Sequence, residues 1–174
     1  GTVNQSNAST AVYNNAAGIV QVSGATIQHT ATNGNAISSK EGQVIITDGL
    51  VSATGGVVQG TESTNTNTVR AVSTTGNFTM SGGTVTSSFS EAIVVTGSSA
   101  IVTGGTIEKG LDVNGTNHTG STFAYGGTGT AILSGGIIKT LSGSASTTVN
   151  KNNTSGVIEI SGATIQNLGS GYAV

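Results

Sequence analysis

Gly76-Asn77-Phe78-Thr79-Met80-Ser81-Gly82-Gly83-Thr84-Val85 is one copy of a unit that the chain repeats six times. The pattern is Gly-x-apolar-x-apolar-Ser/Thr-Gly-small-Thr-Ile/Val. Further copies begin at Gly18, Gly42, Ser98 (serine replacing the glycine), Gly129 and Gly156. In every copy the hydroxyl residue follows the first residue by five positions: Ser23, Thr47, Ser81, Thr103, Ser134 and Ser161. Self-similarity at a short period decides the architecture before any single residue does.

Within each unit the apolar residues alternate: Val20/Val22, Val44/Ile46, Phe78/Met80, Ala100/Val102, Ala131/Leu133 and Ile158/Ile160. A period of two is a strand with one buried face. A bend follows at the hydroxyl residue and the position after it, Gly24, Gly82, Gly104, Gly135 or Gly162, with Asp48 taking that place once. Glycine at this position is expected to supply the positive φ of a sharp corner. A second strand then starts at Thr26-Ile27, Leu50-Val51, Thr84-Val85, Thr106-Ile107, Ile137-Ile138 and Thr164-Ile165. A third short element reads Ala11-Val12, Ala36-Ile37, Ala71-Val72, Ala92-Ile93, Ala124-Tyr125, Thr148-Val149 and Ala173-Val174.

The hydroxyl-to-hydroxyl spacings are 24, 34, 22, 31 and 27 residues. Three short strands in a period of that size, with no helical pattern, predict an all-β, single-domain parallel β-solenoid. A right-handed β-helix of about six to seven coils is expected. Like positions should stack about 4.8 Å apart, because one coil cannot bury its inner face alone. A β-sandwich fits less well, since sandwich strands do not repeat one pattern at fixed internal spacing.

Composition agrees. Charged residues are 7% of the chain, and proline and cysteine are absent. Without cysteine there is no disulfide framework and no thiolate metal site. A net charge of −2 argues against a nucleic-acid partner, which needs a basic patch. No run is long enough for a membrane span, and no signal peptide is visible. Gly1-Thr2-Val3 matches Gly83-Thr84-Val85, and Gly171-Tyr172-Ala173-Val174 matches the third element. The expectation is a solenoid open at both ends, as part of a longer one or as a stacking subunit.

Two connections are long. Residues 52–70 and 108–122 leave the rod at the same corner, two coils apart. Insertions of this kind map to one face, often the binding face. They carry Glu62, Arg70, Glu108, Lys109, Asp112, Asn114, Asn117 and His118, the candidate ligand-contacting residues. The alignment also places Glu108 and Lys139 in adjacent coils, where they should pair. The six hydroxyls should form a corner ladder, held by local hydroxyl-to-backbone bonds.

Catalysis finds little support. A lyase of the calcium type needs clustered carboxylates, and a glycosidase needs two flanking the bond. Glu41, Asp48, Glu62, Glu91, Glu108, Asp112 and Glu159 fall in different columns, and His29 and His118 lie in unrelated frames. No catalytic residue, metal or cofactor is expected. Ice binding needs a regular threonine array, yet Leu50 and Ile137 interrupt the column of Thr26, Thr84, Thr106 and Thr164. Tyr125 is expected in the core and Tyr13 outside it.

The units Phe78 to Val85, Ala100 to Ile107, Ala131 to Ile138 and Ile158 to Ile165 resemble the passenger domains of bacterial autotransporter adhesins and related secreted surface β-helix proteins. The resemblance covers nearly the whole chain. It implies a non-enzymatic, extracellular or cell-surface rod that attaches to a host-cell, bacterial or glycan surface ligand. No binding residues carry over, because these proteins share scaffold motifs. A filament subunit stacking end to end and a carbohydrate-binding β-helix module are the rival expectations.

Overall fold

The computed structural model describes residues 1–55, 69–88, 90–110, 120–141 and 146–174. Among the described residues there are seventeen strands, numbered in chain order, and no helix. They form three parallel ladders. The first contains β1 (Thr2–Gln5), β4 (Ala25–His29), β7 (Gly49–Ala53), β10 (Thr84–Ser87), β12 (Ser99–Lys109), β14 (Thr130–Thr140) and β17 (Thr164–Asn167). The second contains β3 (Ile19–Val22), β6 (Gln43–Ile46), β9 (Asn77–Met80), the first halves of β12 and β14, and β16 (Val157–Ile160). The third contains β2 (Val12–Asn14), β5 (Gly34–Ser39), β8 (Val69–Thr74), β11 (Ile93–Val95), β13 (Phe123–Tyr125) and β15 (Val149–Lys151). The first two ladders join through β12 and β14 into an 11-stranded sheet, and the third is a separate 6-stranded sheet.

The registers follow the repeat. Thr2, Thr26, Leu50, Thr84, Thr106, Ile137 and Thr164 stand side by side. Their neighbours Ile27, Val51, Val85, Ile107 and Ile138 are buried, as period two requires. In the second ladder the buried columns are Val44, Phe78, Ala100, Ala131 and Ile46, Met80, Val102, Leu133. Phe78 is followed in register by two alanines, so bulk in one rung is taken up by small residues in the next. The third ladder buries Ile37, Val72, Ile93, Phe123 and Val149. These columns converge on one apolar core.

The glycine expectation needs correction. Of the five corner glycines, Gly24 has a positive φ of 83°. In four of the other five repeats the left-handed residue comes one position later, at Gly49, Gly83, Gly105 and Gly136. Gly82, Gly104, Gly135 and Gly162 are glycine for another reason. A Cβ on them would lie 2.2, 2.4, 2.2 and 2.3 Å from the carbonyl oxygens of Thr47, Ser81, Thr103 and Ser134, one rung below. The first glycine of the corner therefore permits close stacking, and the second permits the turn. After Asp48 the left-handed glycine is Gly49, with a φ of 101°. Asp48 Oδ1 accepts the Gly49 N–H at 2.7 Å.

Two further expectations shift. Ile93 pairs with Phe123, so Thr122-Phe123, and not Ala124-Tyr125, is the counterpart of Ala92-Ile93. A slip of two preserves the faces, and this is why Tyr125 is buried even so. The three-strands-per-repeat pattern also fails twice. β12 and β14 run through the corner as single 11-residue strands, paired on both sides of a register shift at Thr103.

Candidate functional site

Both long insertions are rooted in one column. Ala53 and Lys109 each lie in register with Ser87, so the two strand ends are two rungs apart on the same edge. β7 runs to Ala53 and β8 begins at Val69, while β12 runs to Lys109. The insertions are thus shorter than the spacing alone suggested. Glu62, Asp112, Asn114, Asn117 and His118 lie outside the described residues.

The three described candidates belong to the strands. Lys109 is a correction: it is fully buried, where a surface loop was expected. The strand continues two residues past Ile107, and period two turns Lys109 inward beside the core. Burial pulls its ammonium down to about 8, against the opposing pull of the Glu91 carboxylate. Arg70 lies in β8, opposite Asn35 of β5. Its Nε donates to Glu91 Oε2 at 2.7 Å, and Ser90 Oγ donates to the same oxygen at 2.6 Å. Burial raises the Glu91 carboxyl, but these two hydrogen bonds and the Arg70 charge outweigh it and hold the group below its usual range. Glu91 therefore stands between the residue that closes the first insertion and the residue that opens the second.

Glu108 is paired with Lys139 on the neighbouring strand, Nζ to Oε2 2.8 Å, in the register that the repeat predicts. About a quarter of each side chain is exposed, so the pair contributes under about 1 kcal/mol.

Inside the same edge runs a polar thread. Thr140 Oγ1 lies 2.8 Å from Thr122 Oγ1 and 2.9 Å from Thr148 Oγ1, all three buried. Thr122 and Thr148 donate onward to the carbonyls of Lys139 and Gln166, at 3.3 and 3.1 Å. These bonds satisfy hydroxyls that would otherwise be costly in the core. The in-register inward residue near the start of the chain is His29, also fully buried, with Nε2 2.7 Å from Ser9 O. A carbonyl only accepts, so Nε2 carries the proton. The signal for His29 was present in the sequence, two residues beyond inward-facing Ile27.

The corner hydroxyls Ser23, Thr47, Ser81, Thr103, Ser134 and Ser161 are exposed at the surface. Thr47 Oγ1 donates to Val22 O at 3.3 Å and Thr103 Oγ1 to Met80 O at 3.5 Å. Both bonds cross from one repeat to the one before, where bonds local to the bend were expected. The register shift sets Thr103 opposite Gly135, so Ser134 is displaced from that column by one residue.

Among the described residues no three His, Asp or Glu side chains are grouped as metal ligands. No helix of the described chain is long and apolar enough to cross a membrane. No protein-family model, no curated protein and no solved structure matches the chain.

Proposed function

We propose that the chain is a right-handed parallel β-solenoid serving as a non-enzymatic attachment rod. It would be of the kind found in secreted and cell-surface β-helix proteins such as autotransporter adhesin passengers. One ladder strand per repeat, always parallel, supports the solenoid reading. The right hand follows from the strong preference of parallel crossovers. The observation that carries the functional reading is the common root of the two insertions, at Ala53 and Lys109 on either side of Ser87. A rigid stack that roots residues 56–68 and 111–119 about 10 Å apart on one edge lets a single target surface reach both. At that edge the buried Lys109 and threonine thread, with the partly exposed Glu91–Arg70 pair, stiffen the roots.

The test compares the fluorescently labelled chain with variants in which 56–68 or 111–119 is replaced by a short Gly-Ser turn. Binding to cultured animal cells and to bacterial cells is read by flow cytometry, and folding by far-ultraviolet circular dichroism. Loss of binding with an unchanged β spectrum supports the reading. Equal binding by all three chains contradicts the role of the loops, and no binding by the parent chain contradicts attachment.

End-to-end stacking of copies is the second reading. It is favoured by exposed large apolar residues toward both sides of the stack, Val3, Tyr13 and Ile19 on one and Val157, Ile160, Leu168, Tyr172 and Val174 on the other, with Ile137 also exposed between them. Light scattering over a concentration series separates the two, since stacking copies give mass that grows with concentration.

A further inference from the structure

The first two rungs carry a site that the insertions do not share. Ala8, Ser9, Thr10, Tyr13, Asn33 and Gly34 line an open depression of about 370 Å³, within the roughly 300–1,000 Å³ of small-molecule sites. Two backbone constraints shape it. Gly34 has a φ of 108°, and a Cβ there would lie 2.6 Å from Ser9 O and 2.8 Å from His29 Nε2. The buried His29 ring, 2.7 Å from Ser9 O, fixes the segment that passes over this glycine. The floor is bare backbone because a side chain has no room there.

The rim is chemically distinctive. Tyr13 is 53% exposed, on a strand whose other side is packed against the core. Its Oη donates to Asn15 Oδ1 at 3.1 Å, so its orientation is set from outside the depression. The Lys40 ammonium lies 5.9 Å from the ring centroid. The hydroxyls of Ser9 and Thr10 and the amide of Asn33 make no hydrogen bond within the described protein. None of the six lining residues is charged.

We propose that this depression is a saccharide subsite. A sugar ring offers a C–H face and a rim of hydroxyls that both donate and accept. The Tyr13 ring supplies an apolar face with a polar tip. Ser9, Thr10 and Asn33 supply donors and acceptors that no protein group uses. A phosphorylated ligand would find no cation among the lining residues, and an apolar ligand would strand three polar side chains. The depression is open, so an internal ring of a longer chain can enter it without a free end. One ring in so shallow a site binds with a Kd on the order of millimolar. Useful affinity therefore requires several sites or several chains acting together. This deepens the attachment reading, on which it rests for the presence of a glycan at the target surface.

The site lies one rung from the root of the first insertion. Gly34 pairs with Val69, and Asn35 with Arg70.

The experiment screens the whole chain on an array of immobilised neutral and uronate-containing oligosaccharides. Saturation-transfer NMR then follows with the strongest binder. The parent chain should bind at millimolar Kd, with the ligand ring protons closest to Tyr13. Tyr13→Ala should weaken binding at least tenfold, and Tyr13→Trp should retain it. Asn33→Ala should weaken it several-fold. Lys40→Ala should leave neutral binders unchanged, because Lys40 does not line the depression. Replacing 56–68 should leave the isolated subsite intact. No oligosaccharide binding by the parent chain overturns the proposal, as does equal binding by Tyr13→Ala. If cells are bound through the loops while Tyr13→Ala changes nothing, the subsite fails and the attachment reading stands. If neither cells nor oligosaccharides are bound, both fail.

Discussion

Gly135→Ala and Gly24→Ala separate two reasons for being glycine. A Cβ on Gly135 would sit 2.2 Å from Thr103 O, a backbone atom of the neighbouring rung. Ordinary contact needs about 1 Å more, and the backbone oxygen cannot rotate away. The bonds that hold β14 against β12, with Thr130 N–H to Ser98 O at 3.2 Å before the corner and Leu141 N–H to Lys109 O at 2.8 Å after it, mark the ladder that would stretch beyond hydrogen-bonding distance near the clash. Losing two such bonds at about 1 kcal/mol each and loosening the Leu133 packing should together cost about 3–4 kcal/mol. Gly24 has the left-handed φ of 83°, but the nearest atom to a Cβ is Asp48 Oδ2 at 3.9 Å. The conformational penalty of about 1–2 kcal/mol is partly offset by the reduced freedom of the unfolded chain, for a net cost near 1 kcal/mol. Urea unfolding followed by circular dichroism measures both. Equal costs, or a Gly135→Ala cost under about 1 kcal/mol, would refute the claim that the rungs are in direct backbone contact at this corner.

Other outcomes follow from the packing and the charges. Phe78→Ala empties the largest volume in its column and should cost about 3–5 kcal/mol by the same assay. Lys139→Ala should cost under about 1 kcal/mol at low salt and close to nothing in 1 M NaCl, because Glu108 and Lys139 are both partly solvated. The folded-state value of Lys109 is lowered from 10.5 to about 8. The folded protein therefore holds fewer protons than the unfolded chain between those values. A destabilisation of roughly 3 kcal/mol is present below pH 8 and disappears as pH rises toward 10.5. In Lys109→Met this rise in stability with pH should be absent; a rise of the same size in that variant would contradict the assignment.

The parallel ladders were legible because the repeat fixes both the face and the register. Glu108 opposite Lys139 and the threonine column from Thr26 to Thr164 were read from alignment alone. What escaped was set by neighbours one rung away. Whether Gly82 or Gly83 holds the positive φ depends on where the Thr47 carbonyl lies, and no local pattern carries that information. Thr122-Phe123 was displaced by two residues, because alternation is indifferent to an even slip. Lys109 falls in the second insertion when that is counted from residue 108, although its position two residues after Ile107 points inward. The Tyr13 depression joins residues 8–13 to residues 33 and 34 across rungs, and its shape depends on a buried histidine whose frame had looked isolated.

The stacking of one rung per repeat is most directly tested by distances between spin labels on an outward column. The chain has no cysteine, so single pairs can be introduced without background. Labels at Thr26 and Ile137 are four rungs apart in register, and labels at Thr26 and Thr164 are five. At about 4.8 Å per rung the backbone separations are about 19 and 24 Å. Pulsed electron paramagnetic resonance should return two narrow distributions that differ by about 5 Å. Broad distributions, or a Thr26–Thr164 distance equal to or shorter than Thr26–Ile137, would contradict the stack.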